Sequence, residues 1–107
     1  VIWDDVLEEL KADPRVSGAK FFSARAAKLG RRVFAFEWRG DLVVKLGPQD
    51  AAAAVASGQE TGVRYFDPHG GRPMKAWAVF PVPDSGDPIR AWIELAEDAK
   101  EFVEGEE

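Results

Sequence analysis

Residues 33–46 read Val33-Phe34-Ala35-Phe36-Glu37-Trp38-Arg39-Gly40-Asp41-Leu42-Val43-Val44-Lys45-Leu46. The period is two on both sides of Arg39-Gly40. Phe34, Phe36 and Trp38 share one face of a first strand, with Val33, Ala35 and Glu37 on the other. Leu42, Val44 and Leu46 alternate with Val43 and Lys45 in a second. Arg39-Gly40 is then the turn of a hairpin, because Gly tolerates positive φ. Working outward, period two begins at Ala26 and Gly30 marks a turn before Val33, so three antiparallel strands in a meander are the simplest arrangement. Residues 16–22, β-branched and aromatic with Ser17-Gly18 inside, read as a short or bulged strand.

Helical spacing brackets this core of strands. Trp3, Val6, Leu7 and Leu10 recur on one face of an acidic segment that Asp13-Pro14 ends, since the residue before Pro is pushed out of the helical region. Gly47-Pro48 opens an Ala-rich helix over 49–57, closed by Gly58, whose short side chains allow close approach to a sheet. Residues 63–66 form another strand, 67–73 a Gly/Pro loop, and 74–80 an apolar run without clean alternation, as expected of a strand covered on both faces. Asp87 as N-cap and Pro88 as N1 begin a last helix with Ile89, Trp92, Ile93, Ala96, Ala99 and Val103 in an apolar stripe; the tail from Glu104 to Glu107 is expected to fray. Together these elements predict an α+β fold over residues 1–107 as one domain. Its antiparallel sheet of about five strands, a meander plus a hairpin, carries N-terminal, middle and C-terminal helices packed on it. Trp3, Trp38, Trp77 and Trp92 all fall on expected core positions.

Composition narrows the chemistry. With 46% hydrophobic residues in 107, a packed core is expected and wholesale disorder is excluded. The absence of Cys excludes disulfides, Cys-based metal sites and redox thiols, and makes a reducing cytoplasm the expected compartment. No apolar run is long enough to span a bilayer, so no membrane partner is expected. No secretory signal pattern opens the chain, and Val1 in place of Met leaves the native start undefined. The net charge of −5 is unevenly spread. Residues 1–13 have five acids and one base, residues 91–107 seven acids and one base, and residues 14–90 seven acids and twelve bases. The sheet-forming middle is therefore basic, and a polyanionic partner stays open despite the overall sign.

Catalytic groups are sparse. His69 is the single His, so a zinc site would have to be built largely from carboxylates, and no metal or cofactor is expected. Ser23, Ser57 and Ser85 could join His69 in a triad, but none lies in a G-x-S-x-G elbow. Glu37, Asp41 and Asp67 have no spacing that pairs two of them as acid and base. The loop from Asp67 to Lys75 is the most informative segment: Gly70-Gly71 frees the backbone to approach a ligand, and His69, Arg72 and Lys75 could converge on an anion. The alternative is a connector with Arg72 paired to Asp67. Arg39-Gly40-Asp41 spells an integrin tripeptide but reads as a hairpin turn, and Asp50 already satisfies the helix start at Gly47-Pro48-Gln49.

Residues 20–103 resemble the TfoX N-terminal domain-like family, and more loosely the YjbR-type domains. The likeness rests on Lys20-Phe21-Phe22, on Val33-Phe34-Ala35 followed by Leu42 to Leu46, on Phe66-Asp67-Pro68 with Gly71-Arg72-Pro73-Met74-Lys75 and Trp77, and on the helix from Trp92 to Phe102. The resemblance implies a small bacterial α+β domain with a regulatory role and no assigned catalytic residue or cofactor. The YjbR likeness implies DNA binding through a winged surface. Family members often carry Gly after the Lys-aromatic-Phe element where this chain has Ser23, so a different turn is expected there.

Two function classes follow. One is a non-enzymatic regulatory or interaction domain meeting a nucleic acid or an acidic protein through Arg25, Lys28, Arg31, Arg32 and Arg39. The other is a small-molecule or anion site, enzymatic or not, on His69, Arg72 and Lys75. Edge strands of the meander could also pair two copies into a homodimer.

Overall fold

The computed structural model describes residues 2–106. Its elements are α1 (Ile2–Leu10), β1 (Val16–Phe21), β2 (Ala24–Leu29), β3 (Arg32–Trp38), β4 (Asp41–Lys45), α2 (Pro48–Ser57), β5 (Arg64–Phe66), β6 (Met74–Phe80) and α3 (Pro88–Gly105), with a 3-10 turn at Gln59–Thr61. The architecture is α+β. Six strands form one antiparallel sheet in the order β1-β2-β3-β4-β6-β5, which puts β6 inside the sheet and leaves β1 and β5 as edges.

The first four strands are joined by two-residue turns: Phe21 pairs with Ala24, Leu29 with Arg32, and Trp38 with Asp41. At the third, Arg39 and Gly40 have φ of 53° and 87°, the positive pair that a type I′ turn needs. At the first, Phe22 and Ser23 take φ of 52° and 64°. The turn there is thus of the kind glycine favours, adopted without glycine, and the left-handed region costs an L side chain about 1–2 kcal/mol per residue. Phe22 is held there by its packing, with ring centres 5.4 Å from Phe66, 6.1 Å from Trp38 and 6.4 Å from Phe36.

Strict alternation fails in β3, and the failure organises the core. Ala27 pairs with Ala35 and Lys28 with Val33, so Phe34 is an extra residue, a β-bulge. Phe34 and Ala35 therefore both enter the apolar layer beneath the helices, while Phe36 enters the layer on the opposite face. The sequence pattern had put Phe34, Phe36 and Trp38 on one side; the bulge separates Phe34 from the other two.

The helix-side layer joins Trp3, Val6 and Leu10 of α1 and Trp92, Ile93, Ala96, Ala99 and Val103 of α3 to Phe34, Leu42, Val44 and Leu46. Full burial of side chains this size stabilises by about 1.5–3 kcal/mol each. The Trp3 indole N–H is buried here without a hydrogen-bond partner. Asp87 caps α3 by accepting from the N–H groups of Ile89 and Arg90 at 3.1 and 3.2 Å. Gly47 begins α2 at φ 90°, and a Cβ there would overlap the Phe102 ring.

The other face has no helix. Phe36, Val43, Phe66, Trp77 and Val79 are nonetheless buried, packed with Phe21, Phe22, Trp38 and Met74. Phe21 and Trp77 stack with ring centres 5.5 Å apart, although β1 and β6 are four strand spacings apart, about 19 Å in a flat sheet. The sheet curls around its aromatic side.

Carboxylates in and just beyond α1 and α3 pair with bases of the intervening chain and with Lys100. Asp13 accepts from the Arg15 backbone N–H at 2.9 Å, from its Nη2 at 2.9 Å, and from Lys100 Nζ at 3.1 Å. These bonds, those from Arg15 foremost, hold the Asp13 carboxyl far below its ordinary value of 3.8. Burial works against the charge on Lys100, and the hydrogen bonds to Glu97 and Asp13 outweigh it and raise its pKa. The tail expected to fray is instead helical as far as Gly105 and paired: Glu104 with Arg15, and Glu106 3.2 Å from Lys45 and 3.5 Å from Arg32. Three cations at a helix C-terminus also complement its dipole. Glu107 lies outside the described residues.

Two outcomes follow. Ser23→Gly relieves one left-handed side chain and should raise stability by about 1 kcal/mol in urea unfolding, since part of the gain is offset by glycine's greater unfolded entropy. Asp13 has a depressed folded pKa, so its stabilisation is complete well above about pH 4 and drains as pH falls below that. Asp13→Asn should therefore destabilise the protein at pH 7 and narrow the difference in urea midpoint between pH 7 and pH 3.

Candidate functional site

The five basic residues singled out along the meander do not converge. Arg31 and Arg32 lie at the β2-β3 turn and Arg39 at the other end of β3, seven residues or about 20 Å away. Arg25 is paired with Asp4 of α1, and Arg32 with Glu106 of α3. Lys28 sits opposite Val33 on β3. Among the described residues, Lys28, Arg31 and Arg39 are in no ion pair.

The loop between β5 and β6 is built around Asp67. Its two carboxylate oxygens accept the backbone N–H groups of Gly71 and Arg72, at 2.9 and 3.3 Å. The expected link between Arg72 and Asp67 thus runs through the Arg72 main chain, not its guanidinium. Gly70 and Gly71, at φ 66° and 115°, let the chain turn back toward that carboxylate. His69, Arg72 and Lys75 are all exposed. The His69 ring leans on Phe22, centres 6.2 Å apart, so it faces the β1-β2 turn.

A cavity of about 400 Å³ opens between this loop and the β3-β4 turn, lined by Trp38, Arg39, Arg64, Tyr65, Phe66 and Asp67, with Pro73 and Val79. The loop contributes its two ends, Asp67 and Pro73, and none of His69, Arg72 or Lys75 lines the space. Arg39 lies over the Trp38 ring, its guanidinium carbon 5.1 Å from the ring centre, a cation–π contact that orients the group and leaves its N–H donors unused by any carboxylate. Arg64 is anchored, with Nη2 2.9 Å from Asp41 and Nη1 donating to the Gly62 carbonyl at 3.3 Å. The one carboxylate in the lining, Asp67, has both oxygens engaged by the loop. An unpaired and an anchored guanidinium thus stand beside an aromatic wall, and the carboxylate in the lining already accepts two loop N–H groups.

Arg64 and Tyr65 were not legible as site residues. They occupy a three-residue edge strand, and only the pairing of Arg64 with Val79 carries them beside Arg39. The one local signal was an Arg immediately before an aromatic residue. Among the described residues, no group of three or more His, Asp or Glu is placed to hold a metal ion, and no helix is long and apolar enough to cross a membrane. The chain matches no family model, no curated protein and no solved structure.

The two Asp67 bonds make a local prediction. Asp67→Ala should speed hydrogen exchange at the Gly71 and Arg72 amides at least about tenfold and cost about 1 kcal/mol of stability, read by exchange NMR and urea unfolding.

Proposed function

We propose that the chain is a non-enzymatic, cytoplasmic binding domain of the TfoX N-terminal-like kind. In this reading it holds a nucleic-acid phosphate backbone weakly and locally, at the cavity between the β3-β4 turn and the Asp67 loop. The observation that carries this is Arg39, laid on Trp38 without a carboxylate partner, beside the anchored guanidinium of Arg64. An orientated, planar donor set suits a phosphate. Exposed Arg72 and Lys75 on the flanking segment add attraction at longer range. The poverty of acid and base groups in the lining supports a binding role over a catalytic one. The net charge of −5 and the neutralised Arg25 and Arg32 support weak binding over tight.

The cavity volume favours a second reading, a small planar anion as the ligand, because about 400 Å³ falls within the ordinary range of small-molecule sites. The six-residue edge strand β1 is where a second copy would add to the sheet if the domain pairs.

A titration of duplex DNA between about 50 and about 200 mM salt tests the nucleic-acid reading. With two or three phosphate contacts the log–log slope should be about −2 to −3, and Arg39→Ala should weaken binding and reduce the slope by about one. Absent or salt-independent binding overturns it. Saturable quenching of Trp fluorescence by AMP, lost in Arg39→Ala, with no DNA binding, would establish the second reading instead.

A further inference from the structure

On the helix side of the sheet two cavities adjoin. One, of about 650 Å³, lies between α2 and α3 over Leu46, Ala54 and Phe102. The other, of about 540 Å³, continues past residues 81–85 as far as Trp92. Both are lined by Val63, Phe80 and Leu95, so they form one trough along α3. From Ala91 to Phe102 the helix rises about 17 Å, three turns.

The trough follows from the composition of α2. Ala54, Ser57 and the succeeding Gly58 are too short to cover Phe80, Leu95 and Phe102, which stay only half-buried. Val82, at the far margin, is 40% exposed. The rim has one sign of charge: Asp50, Asp98 and Glu101 border one cavity, Glu60 and Asp84 the other. Neither is lined by Lys, Arg or His, and among the described residues none of the five carboxylates is in an ion pair.

We propose that this trough docks a basic amphipathic helix of a partner protein. Apolar side chains at i, i+3 or i+4, and i+7 would rest on Val63, Phe80 and Leu95, and flanking Lys or Arg would meet the five carboxylates. Charge complementarity selects this occupant. The helices of this chain are themselves acidic or nearly uncharged: α1 and α3 are rich in Asp and Glu, and the one charged residue of α2 is Asp50. A second copy offers no basic helix. The trough and the Arg39 cavity lie on opposite faces of β6, reached by Phe80 and Val79 respectively, so the two proposals stand independently.

The probe is a fluorescein-labelled amphipathic helix of Leu and Lys, about 18 residues long so that it spans the trough. Anisotropy should report one-to-one binding. Amide shifts in ¹⁵N spectra should be confined to Leu46, the Asp50–Ser57 face of α2, residues 58–63, 80–85 and the Ala91–Phe102 face of α3. Asp98→Lys with Glu101→Lys should weaken binding at least tenfold. Glu8→Lys with Glu9→Lys on α1, an equal change of net charge away from the trough, should leave it within twofold. All four positions are exposed, so both pairs keep the fold. Equal weakening by the two pairs, equal affinity for a scrambled peptide of the same composition, shifts elsewhere on the surface, or no binding in about 50 mM salt each overturns the proposal. So do trough shifts produced by concentrating the protein alone, which would make a second copy the occupant.

Discussion

The bulge at Phe34 is the constraint on which the rest of the structure depends. Helices cover one face of the sheet only, yet the sequence supplies more large apolar side chains than one layer can hold. Adding one residue to β3 sends Phe34 under α1 and α3 and Phe36 to the far side, so neighbouring aromatics serve two layers. A bulge also bends and twists its strand, and the bend favours the curl that brings Phe21 onto Trp77. The far layer is closed by this curvature and by Phe22, held at the hairpin tip in a left-handed turn.

Electrostatics then decides which parts of the surface stay available. The acidic termini and the basic middle are partners within the fold: Asp4 takes Arg25, Asp13 and Glu104 take Arg15, and Glu106 takes Arg32 and Lys45. Exposed pairs of this kind contribute little stability individually. Their larger effect is subtraction. They neutralise Arg25, Arg32 and Lys45 of the meander and leave Lys20, Lys28, Arg31 and Arg39 unpaired among the described residues, while Asp98 and Glu101 on α3 remain without partners.

Most of the architecture was legible because it depends on local patterns. Two-residue turns, the proline and cap at Asp87-Pro88, the breaker at Asp13-Pro14 and the 3.6 spacing of Trp92 to Val103 are written in consecutive residues. Even the interior position of β6 shows in its apolar run from Ala76 to Phe80. The bulge was not legible, because Phe34 fits period two as well as any residue and only its pairing partners reveal the extra position. The helical state of Glu104 and Gly105 was hidden for a related reason: the pairs that hold this end, to Arg15, Arg32 and Lys45, join residues distant in sequence. The loop motif around Asp67 was recognisable as special. Its chemistry turned out to be that of a self-bonded turn, and the cavity formed at its ends from Arg39 and Arg64, which no local spacing connects.

The strand order carries a kinetic consequence. Pairings β1-β2, β2-β3, β3-β4 and β5-β6 join neighbours in the chain, whereas β4-β6 closes a loop through α2 and β5. Closing that loop costs entropy before any contact returns it, so the meander is the part able to assemble early. Its helix-facing side must then wait. Trp3, Val6 and Leu10 complete their burial against Trp92, Ala96 and Val103, from which the whole sheet separates them in sequence. The burial of α1 is thus finished by α3, and a sheet paired before α3 docks has an uncovered apolar face.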